Sequence, residues 1–220
     1  MNNNIILIAP PAAGKGTMAD MLSEKYGYVH ISVGQLLRDI DPKTELGKKV
    51  RELQKNRELV NNDIVFDSLV ERLNKDDVKN NGFILDGFPR TLEQAEILDK
   101  LSAKLGFVIN KIVYLKVSYE IALKRTLGRY TCSKCKTVYN TNTGFNNPVD
   151  DKNCRLCGAS LERRNDDNEE SLKKGFDKFN NEVLPLINYY KSIREVIEVS
   201  ADKSAAATFE ELEKKLELLW

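Results

Sequence analysis

The chain reads as an α/β protein in which a parallel sheet is wrapped by helices and interrupted by a small insert of different texture. Three observations carry that reading. Short apolar runs alternate with helix-length segments, the first run ends in a turn rich in Pro, Ala and Gly, and both cysteine pairs fall within one polar stretch.

Ile5 to Ala9 is a continuous apolar run, as expected of a parallel strand buried on both faces, and Lys15 to Tyr26 after it reads as a helix. Further strands are expected at Tyr28 to Ile31, Phe83 to Asp86, Ile112 to Val117 and Val196 to Ser200. Helical patterns run from Thr44 to Lys55, Asp63 to Leu73, Leu92 to Leu105, Tyr119 to Leu127, Glu169 to Ile193 and Phe209 to Leu219. Asp76 to Asn81 and Asp150 to Asn153 read as polar loops. From Arg129 to Arg164 the hydrophobic periodicity fades, which predicts an inserted small subdomain.

The 220 residues suffice for one such domain with inserts, and a 41% hydrophobic share supplies its core. Thirty-four Lys and Arg against 33 Asp and Glu leave a formal charge of +1, so no global field favours nucleic acid or an anionic membrane. Any anionic ligand must therefore be held locally. The first apolar run is too short for a signal peptide or a membrane span, so the expected address is the cytoplasm. With no exposed apolar stripe, a monomer is expected.

Ala9-Pro10-Pro11-Ala12-Ala13-Gly14-Lys15-Gly16-Thr17 lies where the first strand turns into the first helix, the place for a phosphate loop. Backbone N–H groups of Ala12, Ala13, Gly14 and Gly16 would wrap a polyphosphate, Lys15 would reach the outer phosphates, and the Thr17 hydroxyl would approach Mg²⁺. The competing reading is a Gly-rich turn with an unrelated lysine. Asp86, at the carboxyl end of a strand, suits holding water ligands of Mg²⁺, or else serves as a turn or helix-cap aspartate. The single histidine, His30, is expected to pack or cap at a strand end without a catalytic role.

Cys132-x-x-Cys135 and Cys154-x-x-Cys157, 18 residues apart, have the spacing of two knuckles offering four thiolates to one tetrahedral Zn²⁺. Four protein ligands leave no open position, so the metal would be structural. A nucleic-acid-binding zinc ribbon or a pair of disulfides are the alternatives; the balanced charge and the expected reducing compartment weigh against them.

Leu85-Asp86-Gly87-Phe88-Pro89-Arg90, followed by Gln94 and taken with the phosphate loop, resembles the adenylate kinase family. The resemblance continues through Ile31-Ser32 to Arg38, Leu59-Val60, Arg125 and Arg129 flanking Gly128, the acidic phrase Arg164 to Glu170, and Pro185 to Tyr190. It implies a five-stranded parallel sheet in a P-loop core, residues 1–31, 62–128 and 165–220. Two mobile inserts would join it, a helical monophosphate-binding one at 32–61 and a zinc-stapled lid at 129–164. The implied reaction is Mg²⁺-dependent transfer from ATP to AMP, giving two ADP.

By the same resemblance, Lys15, the loop amides, Arg125, Arg129, Tyr139 and Lys203 would hold ATP. Ser32, Val33, Arg38, Val60, Gly87, Arg90, Gln94 and Arg164 would hold AMP, with Arg38 and Arg90 on its phosphate and Gln94 on adenine. Lys15, Arg125, Arg129 and Arg164 would close on the transferring group, with Asp86 serving the metal. Charge neutralisation and positioning are what phosphoryl transfer asks of a protein.

The chain departs from the family pattern at five positions. Ala9 and Ala12 replace glycines, Val33 replaces a threonine near the base, Gln35 an aspartate near the Mg²⁺ water, and Gly175 an arginine on the transferring phosphoryl. These departures keep two alternatives in play, a kinase for another monophosphate and a nucleotide-binding relative with low turnover.

Overall fold

The computed structural model describes residues 4–55, 58, 60–143, 146–148 and 152–217. Five short strands, β1 (Ile5–Ile8), β2 (Val29–Ser32), β3 (Phe83–Asp86), β4 (Lys111–Lys116) and, late in the chain, Val196–Ser200, form one sheet. Every pairing in it is parallel. Parallel neighbours cannot be joined by tight turns, so helices carry each crossover and cover both faces. Among them are α1 (Lys15–Tyr26), α2 (Val33–Asp39), α3 (Glu45–Lys55), α4 (Asn62–Leu73), α5 (Asp76–Asn81), α6 (Leu92–Leu105) and α7 (Tyr119–Leu127).

The two-residue period of the strands splits the core cleanly. Ile6, Ile8, Leu85 and Ile112 pack on one face with Leu69, Leu98 and Ile187; Ile5, Leu7, Ile84 and Val113 pack on the other with Leu22 and Leu212. β1 is buried at all four positions, as its unbroken apolar run predicts. The spatial order puts β1 between β3 and β4, with β2 beyond β3 and Val196–Ser200 beyond β4. The chain runs from β1 outward to β2 on one side, and from β3 across β1 to β4 and the last strand on the other. This reversal opens a crevice at the carboxyl ends of the strands beside β1. The phosphate-loop residues follow β1 directly, and Asp86 ends β3.

Several expectations need correction. Asp76 to Asn81 is a helix and not a loop: Val78 is buried, Asp76 and Asp77 sit at its positive end, and Arg72 donates to both Asp77 oxygens at 2.9 and 2.7 Å. Of the other expected loop, Asp150 and Asp151 lie outside the described residues, while Asn153 bridges Ser160. The expected helix from Glu169 to Ile193 is α8 (Glu169–Lys178) and α9 (Leu184–Ile193), separated by a π turn at Phe179–Val183. Pro185 supplies no N–H to the turn before it, which accounts for the local widening. The last helix, α10 (Ala205–Leu216), starts earlier than expected because Ser204 caps it; Leu218 and Leu219 lie outside the described residues.

The stretch from Arg129 to Arg164 contains a second sheet of its own, antiparallel, made of β5 (Arg129–Cys132), β6 (Val138–Asn140) and β7 (Leu161–Glu162). The Val196–Ser200 strand is therefore β8. Cys132, Tyr139 and Cys154 form the small core under that second sheet. Among the described residues, no helix is long and apolar enough to cross a membrane.

α2 and α3 meet at a tight corner. Thr44 accepts the Gly47 N–H at 3.0 Å, and a Cβ at Gly47 would stand 2.0 Å from the Asp41 carbonyl oxygen. Backbone cannot yield as a side chain can, so Gly47→Ala should destabilise the protein by about 1–3 kcal/mol. Chemical denaturation would measure it, and an unaltered midpoint would show that the corner relaxes freely.

Candidate active site

The turn after β1 wraps closely enough to strain one residue. Ala12 has φ 59°, in the left-handed region, and Gly14 has φ 91° as the residue preceding α1. Alanine in that conformation costs about 1–2 kcal/mol, whereas Ala9 keeps a negative φ and costs nothing of the kind. Arg125 holds the strained turn from outside. Its Nη1 donates to the carbonyls of Ala12 and Ala13 at 3.5 and 3.3 Å, and its Nη2 to the Lys203 carbonyl at 2.9 Å. The N–H groups of the first turn of α1, from Lys15 to Thr17, have no intrahelical partner, as at any helix start, and carry the positive end of its dipole.

A cleft of about 350 Å³ opens beside this turn, lined by Ala12, Lys15, Val33, Arg38, Val60, Gly87, Arg90, Gln94, Arg129 and Arg164 among others. Those ten are predicted site residues brought together from six separate stretches of sequence. Six cationic side chains, with Lys178 as the sixth, face three carboxylates, Glu58, Asp166 and Glu182. A more open depression of about 530 Å³ lies over β4, β8 and α10, but its charges answer one another, Lys116 with Glu198 and Lys215 with Glu211.

Electrostatics in the cleft follow from burial and crowding. Burial lowers the Lys15 pKa, and Arg90 and Arg129 add to the effect while Asp86 opposes it. Arg164 is likewise lowered by burial, then by Arg129 and Arg38. Burial would raise the Asp86 pKa, yet His30, Lys15 and Arg90 together hold it below the usual carboxylate value. The site therefore gathers cations, partly buried at Lys15 and Arg129 and more exposed at Arg38, Arg90 and Arg164, with a deficit of anions and one carboxylate kept ionised.

His30 departs from its expected passive role. Its Nδ1 lies 2.8 Å from Asp20 and its Nε2 3.6 Å from Asp86. Burial works against its charge, but these two carboxylates raise its pKa to about 9, so it is cationic at neutral pH. Nothing in the sequence marks this pairing, since Asp20 and Asp86 belong to different elements.

Each cation has a resting partner. Lys15 reaches the Ala9 carbonyl at 3.3 Å and lies 4.0 Å from Asp86. Arg38 donates to Gln35 Oε1 at 3.1 and 2.9 Å, and Arg90 Nε to the Gly87 carbonyl at 2.9 Å. Arg129 engages Asp167 through Nε at 3.1 and 3.0 Å and through Nη2, and Arg164 Nε approaches the Thr131 hydroxyl at 3.4 Å. Asp167 was legible only as part of an acidic phrase; its role as the buried anchor of Arg129 comes from the fold.

Other predicted residues stand outside the cleft lining. Ala13, Gly14, Gly16 and Thr17 lie in the turn and first helical turn beside it, Ser32 precedes α2, and Asp86 sits behind Lys15. Lys203 pairs through its ammonium with Glu211 at 3.0 Å, while its carbonyl accepts from Arg125. Tyr139 is likewise not among the residues lining the cleft. Its side chain is 1% exposed within the small core under the second sheet, its hydroxyl 3.2 Å from Cys154 Sγ and accepting the Arg155 N–H at 3.0 Å. Leu59 lies outside the described residues.

The four cysteines converge. Their Sγ atoms all lie within 4.8 Å of one another, with Cys132 to Cys157 at 3.4 Å and Cys135 to Cys154 at 3.5 Å. Four thiolates around a tetrahedral metal at about 2.3 Å stand about 3.8 Å apart, so the cluster fits such an ion with little adjustment. The backbone N–H groups of Lys134 and Cys135 point at Cys132 Sγ, both at 3.4 Å. The Tyr139 hydroxyl draws the Cys154 pKa down to about 6.

Known proteins are similar to this chain over nearly its whole length. A family model described as adenylate kinase matches residues 7–195. An adenylate kinase of Syntrophomonas wolfei is 36% identical over 217 residues, 98% of this chain and 100% of the relative. One of Archaeoglobus fulgidus is 40% identical over 215 residues, 97% of this chain and 98% of the relative. One of Caldicellulosiruptor bescii is 39% identical over 213 residues, covering 96% and 98%.

The Arg129–Asp167 pair yields a measurable consequence. Asp167 has a side chain 1% exposed while Arg129 is 19% exposed, so deleting the carboxylate strands a guanidinium that only partly reaches water. Asp167→Ala should lower unfolding stability by about 3 kcal/mol, the lower end for a broken buried pair. Equilibrium unfolding in urea reads it directly, and a loss under about 1 kcal/mol would mean the pair behaves as a surface contact.

Proposed function

The chain belongs to the adenylate kinase family, and from that premise we propose how its cleft divides the work of moving a phosphoryl group from ATP to AMP. The enzyme is a nucleoside monophosphate kinase, a phosphotransferase. Adenylate kinases bind ATP and AMP and use Mg²⁺ with ATP. The observation that carries the assignment of roles is the convergence of Lys15, Arg38, Arg90, Arg129 and Arg164 on one cleft at the point where the sheet connections diverge.

In this reading ATP phosphates lie against the amides from Ala12 to Thr17, with Lys15 leaving the Ala9 carbonyl for the outer phosphates. Arg38 and Arg90 grip the AMP phosphate, exchanging the neutral oxygens of Gln35 and Gly87 for an anion. Gln94 reads the base, with Ser32, Val33, Val60 and Gly87 lining the remainder of that half. Arg129 and Arg164 close on the transferring group, while Arg125 holds the turn that positions it. Transfer is direct, with no covalent enzyme intermediate.

Mg²⁺ supplies charge neutralisation across the phosphates when bound. Asp86, ionised and buried at the end of β3, suits its water ligands, and Thr17 stands at the start of α1 for the same ion. The four thiolates would hold Zn²⁺ as a structural ion, for the lid has too small an apolar core to keep its shape alone.

The proposed organisation is a core of residues 1–31, 62–128 and 165–220 with inserts at 32–61 and 129–164 that fold over AMP and ATP. Such lid closure is the known behaviour of adenylate kinases, and here it would bring Arg129 and Arg164 inward and exclude water. A monomeric state and a cytoplasmic address, where four unpaired thiols stay reduced, complete the reading.

A coupled assay with ATP and Mg²⁺ across AMP, CMP, UMP and GMP tests the substrate assignment. AMP should give the highest kcat/KM, and preference for a non-adenine acceptor would overturn it. Metal analysis should find one Zn²⁺ per chain, and a chelator should lower Tm with loss of the metal. A metal-free chain of equal Tm would dispose of the structural ion.

A further inference from the structure

Gln94 is 3% exposed, and its carboxamide is held at both ends. Oε1 accepts the backbone N–H of Arg90 at 2.8 Å, and Nε2 donates to Asn62 Oδ1 at 3.0 Å. A backbone N–H can only donate, so the Gln94 atom facing Arg90 is the oxygen, and the amino group must face Asn62. Asn62 is free to serve this contact. The neighbouring Asn61 caps α4, its side chain accepting the Asp63 N–H at 2.7 Å, so the first helical residue has no capping duty.

We propose that the Arg90 amide and Asn62 lock the polarity of the Gln94 carboxamide, so that the acceptor pocket takes a 6-aminopurine monophosphate and refuses its 6-oxo counterpart, with Asn62 as the positioning residue. This rests on Gln94 being the group that reads the acceptor base. Once both ends are engaged, one lone pair on Oε1 and one N–H on Nε2 remain. A 6-aminopurine offers the complementary pair, an exocyclic N–H donor and the N1 acceptor. A 6-oxopurine offers the reverse, an oxygen against Oε1 and an N1–H against Nε2, so both contacts become repulsive.

Turning the carboxamide over would rescue the 6-oxo base only by facing the Arg90 N–H with an amino group and Asn62 Oδ1 with an oxygen. Both faults would fall on a carboxamide whose residue is only 3% exposed. Sites of this kind discriminate strongly because the wrong ligand leaves polar groups unpaired. Asn62 lies behind Gln94 and not in the cleft lining, so it acts on the base only through that side chain.

The test measures kcat/KM for AMP and for IMP, its 6-oxo counterpart, with ATP and Mg²⁺, in the full chain and in Asn62→Leu, Asn62→Ala, Asn62→Asp and Gln94→Ala. Both Asn62→Leu and Asn62→Ala should lower the AMP-to-IMP ratio by about tenfold or more, chiefly through KM for AMP. Asn62→Asp keeps an acceptor and should keep the ratio. Should Asn62→Leu fail to fold, the alanine variant decides. A collapsed ratio in Gln94→Ala with an unchanged ratio in the Asn62→Ala variant would overturn the lock while leaving base reading intact. An aspartate variant that falls as far as alanine would also overturn it. A Gln94→Ala ratio equal to that of the unmodified chain would remove the base-reading role and the lock with it.

Discussion

Mutual repulsion among cations gathered in one partly open cleft is the constraint around which the rest of this structure is arranged. Lys15, Arg38, Arg90, Arg129, Arg164 and Lys178 line one cleft in a chain whose formal charge is only +1. Unscreened, such a group would push its own walls apart. The fold answers with local partners, among them the carboxylates Asp167, Asp86 and Glu182 and the neutral oxygens of Ala9, Gly87, Gln35 and Thr131. Neutral acceptors hold a guanidinium or ammonium in place without cancelling its charge. An arriving phosphate offers a charge-assisted bond about twice as strong, so the cations can exchange partners without a large prior cost.

The phosphate turn depends on the same economy of contacts. Ala12 occupies a left-handed backbone conformation that glycine would adopt freely, and Arg125 clasps its carbonyl and that of Ala13. The guanidinium thus acts on the backbone as well as through its field. A turn so braced keeps its amides directed at one point, and phosphoryl transfer draws on that preorganisation. His30 plays a comparable part behind β3, where its charge offsets the burial of Asp86.

Much of this was legible because it is local or periodic. The β1 run, the phosphate turn and the paired Cys-x-x-Cys knuckles each announce themselves within a few residues. Five strands, and the helices Lys15–Tyr26, Leu92–Leu105 and Tyr119–Leu127, sit where periodicity puts them. What stayed hidden is what depends on distant partners. Asp76–Asn81 looks polar and turns helical because Val78 finds a core and Arg72 finds Asp77. That the Tyr139 side chain packs with Cys132 and Cys154 in a small core of its own could not be read from its sequence neighbours. The pairing of Gln94 with Asn62, 32 positions apart, leaves no trace in either local stretch.

Gly175 shows how far such compensation extends. It lines the cleft from α8 at the position where the family resemblance leads one to expect a guanidinium. Lys174 does not fill the gap, because it turns outward to Glu170 at 2.8 Å. Lys178, one turn further along and 3.8 Å from Glu182, does line the cleft. An ammonium is a point charge on a flexible stem, able to neutralise a phosphate but not to fork across two of its oxygens. On the proposed reading, the substitution therefore preserves the field that draws nucleotide in while loosening the geometry that holds the transferring group. Its cost falls on the transition state more than on binding.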